Sequence, residues 1–132
     1  MNILFICNQG RHRSRTAADL FRKTHFTDYA GLYSEKPMTK DQLEWADLIV
    51  VMEDVQRAEL GRRFPAQYLS KRIVCLDIPD TFSYGDPRLV EMLQEGMEDA
   101  FSEMQNSSVN SNEKKTPGLG PSSLRETESI AF

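Results

Sequence analysis

The chain has 132 residues, the size of one domain and too short for two conventional cores. Hydrophobic residues make up 39% and charged residues 27%, the balance of a water-soluble globular protein with some polar sequence outside its core. The net charge of −4 argues against a general nucleic-acid binder, whose footprint would be basic overall.

Two cysteines, Cys7 and Cys75, are too few for a disulfide scaffold and lack metal-ligand spacing, so neither a metal nor a cofactor is expected. The apolar run from Ile3 to Ile6 is shorter than a signal-peptide core, and no stretch is long enough to span a membrane. The expected location is therefore the cytoplasm, with no membrane and no nucleic-acid partner.

The short apolar run Asn2 to Ile6 shows no polar alternation, which predicts a strand buried on both faces. Ser14 to Lys23 is rich in helix formers, with Ala17, Leu20 and Phe21 at helical spacing. Tyr29 to Tyr33 reads as a brief strand interrupted by Gly31, and Lys40 to Ala46 as a short helix capped by Thr39, with Trp45 anchoring it on the core. Leu48 to Met52 is the clearest strand. A helix over Glu53 to Arg63 follows, ended by Pro65, and Ile73 to Ile78 is a further buried strand. Asp86 as cap and Pro87 at the first helical position then open a long helix with Leu89, Val90, Leu93, Met97 and Phe101 on one face.

Alternating strands and helices predict an α/β fold, a parallel sheet with helices on both faces. Ligands of such sheets bind at the carboxyl ends of the strands, where the loops after Ile6, Met52 and Ile78 would gather. Composition shifts at Gln105 toward Asn, Ser, Gly and Pro, which divides the chain into a domain at 1–104 and a flexible tail at 105–132. The ending Ser129 to Phe132 is read as a plain terminus in preference to a peptide ligand, and the tail's partner is not identified.

Cys7-Asn8-Gln9-Gly10-Arg11-His12-Arg13-Ser14 joins the first strand to a helix N-terminus. Successive backbone N–H groups in such a loop form an anion-binding nest, reinforced by the helix dipole. A thiolate at its mouth can attack phosphorus while the N–H groups hold the equatorial oxygens. Arg13, six residues on, offers a planar fork matched to two phosphate oxygens, and the Ser14 hydroxyl can donate to the sulfur. The plain alternative is a buried strand-end thiol among solvated arginines; the placement between buried strand and helix start favours phosphate chemistry. His12 reads as a loop-bracing or phosphate-facing side chain rather than a base.

The segment NILFICNQGRHRSRTAADLF resembles the opening of low-molecular-weight protein tyrosine phosphatases of the short bacterial and archaeal type. WADLIVVM and RIVCLDIPD resemble that family's third and fourth strands, so the likeness covers roughly residues 1 to 104. The resemblance implies a three-layer α/β/α fold on a four-stranded parallel sheet and a phosphocysteine intermediate without metal. It makes Cys7 the nucleophile, Arg13 the clamp and Ser14 the thiolate partner, with Asn8, Gln9, Gly10, Arg11 and His12 around the phosphate. The chain departs from the family at Gln9-Gly10, where Gly-Asn is usual, and Asn8 is the substitute brace. It departs again at His12, where many members carry a protective second cysteine, and at Arg11 and Arg15.

Expulsion of the leaving group needs a carboxylic acid. Asp77, Asp80 and Asp86 all lie on or just past the fourth strand, and Asp80 is preferred over Asp86, whose place before proline is already accounted for by helix capping. Phe82 and Tyr84 could wall an aromatic substrate or pack the loop. The expected substrate is a phosphorylated protein or a small phosphomonoester. Two other readings are an arsenate reductase, which needs a resolving cysteine that Cys75 is poorly placed to supply, and a catalytically silent phosphate-binding module.

Overall fold

A computed structural model describes residues 1–110, with side chains to residue 105; the tail beyond, including Ser129 to Phe132, lies outside the described residues. Four strands form one sheet: β1 (Asn2–Cys7), β2 (Phe26–Gly31), β3 (Leu48–Val51) and β4 (Arg72–Cys75). Their order is β2-β1-β3-β4 and every pairing is parallel. Five helices accompany them: α1 (Arg13–Phe21), α2 (Lys40–Trp45), α3 (Asp54–Arg63), α4 (Pro65–Ser70) and α5 (Pro87–Asn110). This is the α/β architecture expected, with β1 and β3 central and their apolar residues fully buried.

Alternation along β1 sends its residues to two layers. Leu4 and Ile6 join Ile49, Val51, Leu43 and Leu60 in one cluster, so α2 and α3 cover that face. Phe5 points the other way and stacks on Phe21 of α1, ring centroids 6.0 Å apart. The described residues divide into two units, Met1–Gln94 and the part of α5 from Glu95 onward. The first contains the sheet and the start of α5, including buried Leu89 and Leu93; the second continues that helix.

Several elements differ from the sequence reading. Pro65 does not merely stop α3; it opens α4 from the first helical position, where its missing N–H costs nothing. Trp45 is 38% exposed and Leu43 is the buried residue of α2, because the amphipathic stripe of a six-residue helix has room for one anchor. Thr39 caps α2 as expected, in a reciprocal box in which Gln42 N–H donates to Thr39 Oγ1 and Thr39 N–H to Gln42 Oε1. The compositional change at Gln105 does not end α5, which runs on to Asn110. Among the described residues no helix is long and apolar enough to cross a membrane.

Candidate active site

Cys7 closes β1 and is 3% exposed. The chain then turns, held by Leu32 N–H to Cys7 C=O at 2.9 Å and Tyr33 N–H to Asn8 C=O at 2.8 Å. Gly10 has φ +70° and donates its N–H to Cys7 Sγ at 3.1 Å. A Cβ on Gly10 would lie 2.9 Å from Gly31 N, and one on Gly31 only 2.4 Å from Gln9 C. Gly31 is therefore a contact glycine on which the loop rests, rather than a weakness in β2. Ser14, in the first turn of α1, places its Oγ 3.1 Å from Cys7 Sγ.

Arg13 is 1% exposed, a cation almost wholly removed from water. Its Nη1 donates to Glu53 Oε1 at 2.9 Å and to the Ile78 carbonyl at 2.7 Å. Nε and Nη2 are buried and have no hydrogen-bond partner among the described residues. These two donors share one edge of the guanidinium, the edge that fits two oxygens of a tetrahedral oxyanion. Asp80 Oδ1 stands 3.6 Å from Nε. The edge opens on a cavity of about 230 Å3 lined by Cys7, Gln9, Arg11, His12, Arg13 and Asp80.

Among the residues singled out from sequence, those six come together at the cavity. Asn8, Gly10 and Ser14 do not line it: Gly10 and Ser14 contact the sulfur, and Asn8 Oδ1 accepts from Gln56 Nε2 at 3.1 Å. Tyr84 is not among the lining residues. Its hydroxyl donates to Asp19, a bond that raises the phenol's pKa, and Arg15 lies over its ring at 4.8 Å. Asp86 caps α5 through Arg88 N–H at 2.9 Å and also accepts from the Arg88 guanidinium, which holds its carboxyl below the usual range.

Two participants were missed in the sequence. Glu53 caps α3 and is the carboxylate partner of Arg13, while buried Gln56 accepts from the N–H groups of Met52 and Glu53 at 2.8 and 3.0 Å. The available signal was Glu53's place, two residues past a buried strand at the ligand-binding edge of the sheet. A second, larger cleft of about 620 Å3 adjoins the cavity through Gln9 and Arg11 and runs past Asp28 and Lys36; it contains none of Cys7, Arg13 or Asp80. Elsewhere, Asp54, Cys75 and Asp77 bring potential ligand atoms within 4.8 Å of one another.

No family model matches the sequence, and no curated protein matches it. Solved structures do match. The arginine phosphatase YwlE of Geobacillus stearothermophilus superposes with a TM-score of 0.65 at 19% identity, covering 81% of this chain and 94% of that one. The tyrosine phosphatase Wzb of Escherichia coli K30, solved with phosphate, gives 0.62 at 17% identity over 78% and 97%. A low-molecular-weight phosphotyrosine phosphatase of Vibrio cholerae O395 gives 0.64 at 16% identity over 83% and 99%. The chain therefore has the fold of the low-molecular-weight phosphatases.

Proposed function

We propose that the protein is a phosphomonoester hydrolase that works through a phosphocysteine on Cys7, with phosphotyrosyl protein as its substrate. The observation that carries the reading is the buried Nε–Nη2 edge of Arg13, which has no hydrogen-bond partner among the described residues and shares one cavity with a strand-end thiol and the exposed Asp80 carboxyl group. An unsatisfied buried cationic edge is costly, and a bound oxyanion offsets that cost.

In this mechanism the Cys7 thiolate, with Gly10 N–H and Ser14 Oγ beside it, attacks phosphorus along the line of the leaving oxygen. The S–P bond forms as the P–O bond breaks, and the Asp80 carboxyl gives its proton to the departing oxygen. Arg13 holds two equatorial oxygens throughout. Water then attacks the phosphocysteine, its proton passes to the Asp80 carboxylate, the S–P bond breaks, and inorganic phosphate leaves.

Solved proteins of this fold include both tyrosine and arginine phosphatases. Arg11 on the cavity wall favours the first chemistry, because a phosphoarginine guanidinium would meet a like charge and a phenol ring would not. The adjoining polar cleft leaves room for the polypeptide around a phosphorylated side chain, which favours a protein over a small ester.

Purified protein should hydrolyse p-nitrophenyl phosphate, with no loss of rate in excess EDTA, since nucleophile, anion donors and acid all come from the chain. Cys7→Ser should abolish turnover and keep phosphate binding. Turnover that survives Cys7→Ser, or that depends on a divalent cation, would overturn the reading.

A further inference from the structure

His12 is the N-cap residue of α1, yet its side chain makes no cap bond to that helix. Instead its Nδ1 accepts from the Tyr84 N–H at 3.2 Å, across 72 residues of sequence. Gly85 N–H donates to Thr16 Oγ1 at 3.0 Å one helical turn on, and the Tyr84 hydroxyl donates to Asp19 a further turn along. Arg15 covers the Tyr84 ring. One face of α1 thus grips residues 84–85, while Arg13 holds the same loop at its other end through the Ile78 carbonyl. Asp80 lies between these two attachments.

We infer that His12, acting through the Tyr84 amide, is a positioning residue that fixes the Asp80 loop over the cavity. The inference rests on the phosphatase reading with Asp80 as acid, and adds a part that the nucleophile loop plays in aiming that acid. The same eight-residue loop carries the nucleophile, the clamp and the bracket for the acid, so the spacing between Cys7 and Asp80 is set from one element. The accepting role also defines the imidazole: Nδ1 bears no proton in this contact, so the neutral ring carries its proton on Nε2.

Loss of the bracket should leave the thiolate and clamp in place and misplace the acid. The test compares His12→Leu, which removes the acceptor, with His12→Asn, whose Oδ1 occupies the place of Nδ1 at the same distance from the backbone. His12→Leu should slow aryl phosphates with poor leaving groups at least about tenfold more than those with good ones, a fraction of the hundredfold or more that a general acid supplies. His12→Asn should restore most of that difference. In parallel, hydrogen exchange at the Tyr84 amide should speed up in His12→Leu and slow again in His12→Asn.

Equal slowing of good and poor leaving groups, or failure of His12→Asn to rescue, would overturn the inference. So would a Tyr84 amide whose exchange is the same in all three proteins. Absence of phosphatase activity in the wild type would sink the functional reading instead, with the exchange experiment still deciding whether the bracket exists.

Discussion

At the scale of single residues, the two candidate acids are separated by what holds them. Asp86 accepts from Arg88 by side chain and backbone, bonds that pull its carboxyl below the usual range and commit it to the start of α5. Asp80 is exposed, lines the cavity, and stands 3.6 Å from Arg13 Nε. Asp80→Asn should therefore steepen the dependence of rate on leaving-group pKa, with losses of about a hundredfold to ten-thousandfold for poor leaving groups. Asp86→Asn should keep that dependence flat, because asparagine also caps helices well. Rates measured across a series of aryl phosphates decide between them; a steep dependence in Asp86→Asn alone would reverse the assignment.

Among the elements, the sheet order governs redox behaviour. Cys7 lies on β1 and Cys75 on β4, with β3 between, so they are about 10 Å apart across the sheet. A disulfide needs Cα atoms within about 7 Å. Burial also pushes the Cys75 thiol up to about 11, which leaves it protonated and a poor nucleophile at neutral pH. Peroxide should thus drive Cys7 to sulfinic acid without an internal disulfide, and a Cys7–Cys75 cross-linked peptide in mass spectra would contradict this.

The link between α3 and the segment after β2 has its own pH signature. Glu59 accepts from Arg62 and Arg63, and Arg63 also donates to the Leu32 carbonyl. Those bonds lower the Glu59 carboxyl from 4.5 to about 2. Its folded value lies below its unfolded one, so the contribution is complete above pH 4.5 and fades as pH falls through about 2. Glu59→Gln should remove that portion of the acid-side slope of stability, seen as a smaller loss of melting temperature between those two values. An unchanged slope would show that the pair adds nothing, the common result for exposed ion pairs.

For the whole molecule, every residue lining the cavity falls between Cys7 and Asp80. A chain cut after Asn110 should therefore keep kcat and KM for p-nitrophenyl phosphate within about twofold, a scale on which surface changes away from a site act. A tenfold loss would mean that the tail contributes to the site.

The parallel α/β sheet was legible in the sequence because strands buried on both faces show as unbroken apolar runs, and LFIC and LIVV are such runs. Cys7, Arg13 and Ser14 were legible for a related reason: one short loop joins them, so their spacing in sequence nearly dictates their spacing in space. Glu53, Gln56, and the grip of His12 on Tyr84 were not, since each bridges segments 40 to 72 residues apart. Local pattern carries no information about which distant carboxylate or amide a buried donor or acceptor will meet. Only the sheet order, which sets the ends of β1 and β3 side by side and returns residues 78 to 85 to the face of α1, decided that Arg13 would be held on one edge and left open on the other.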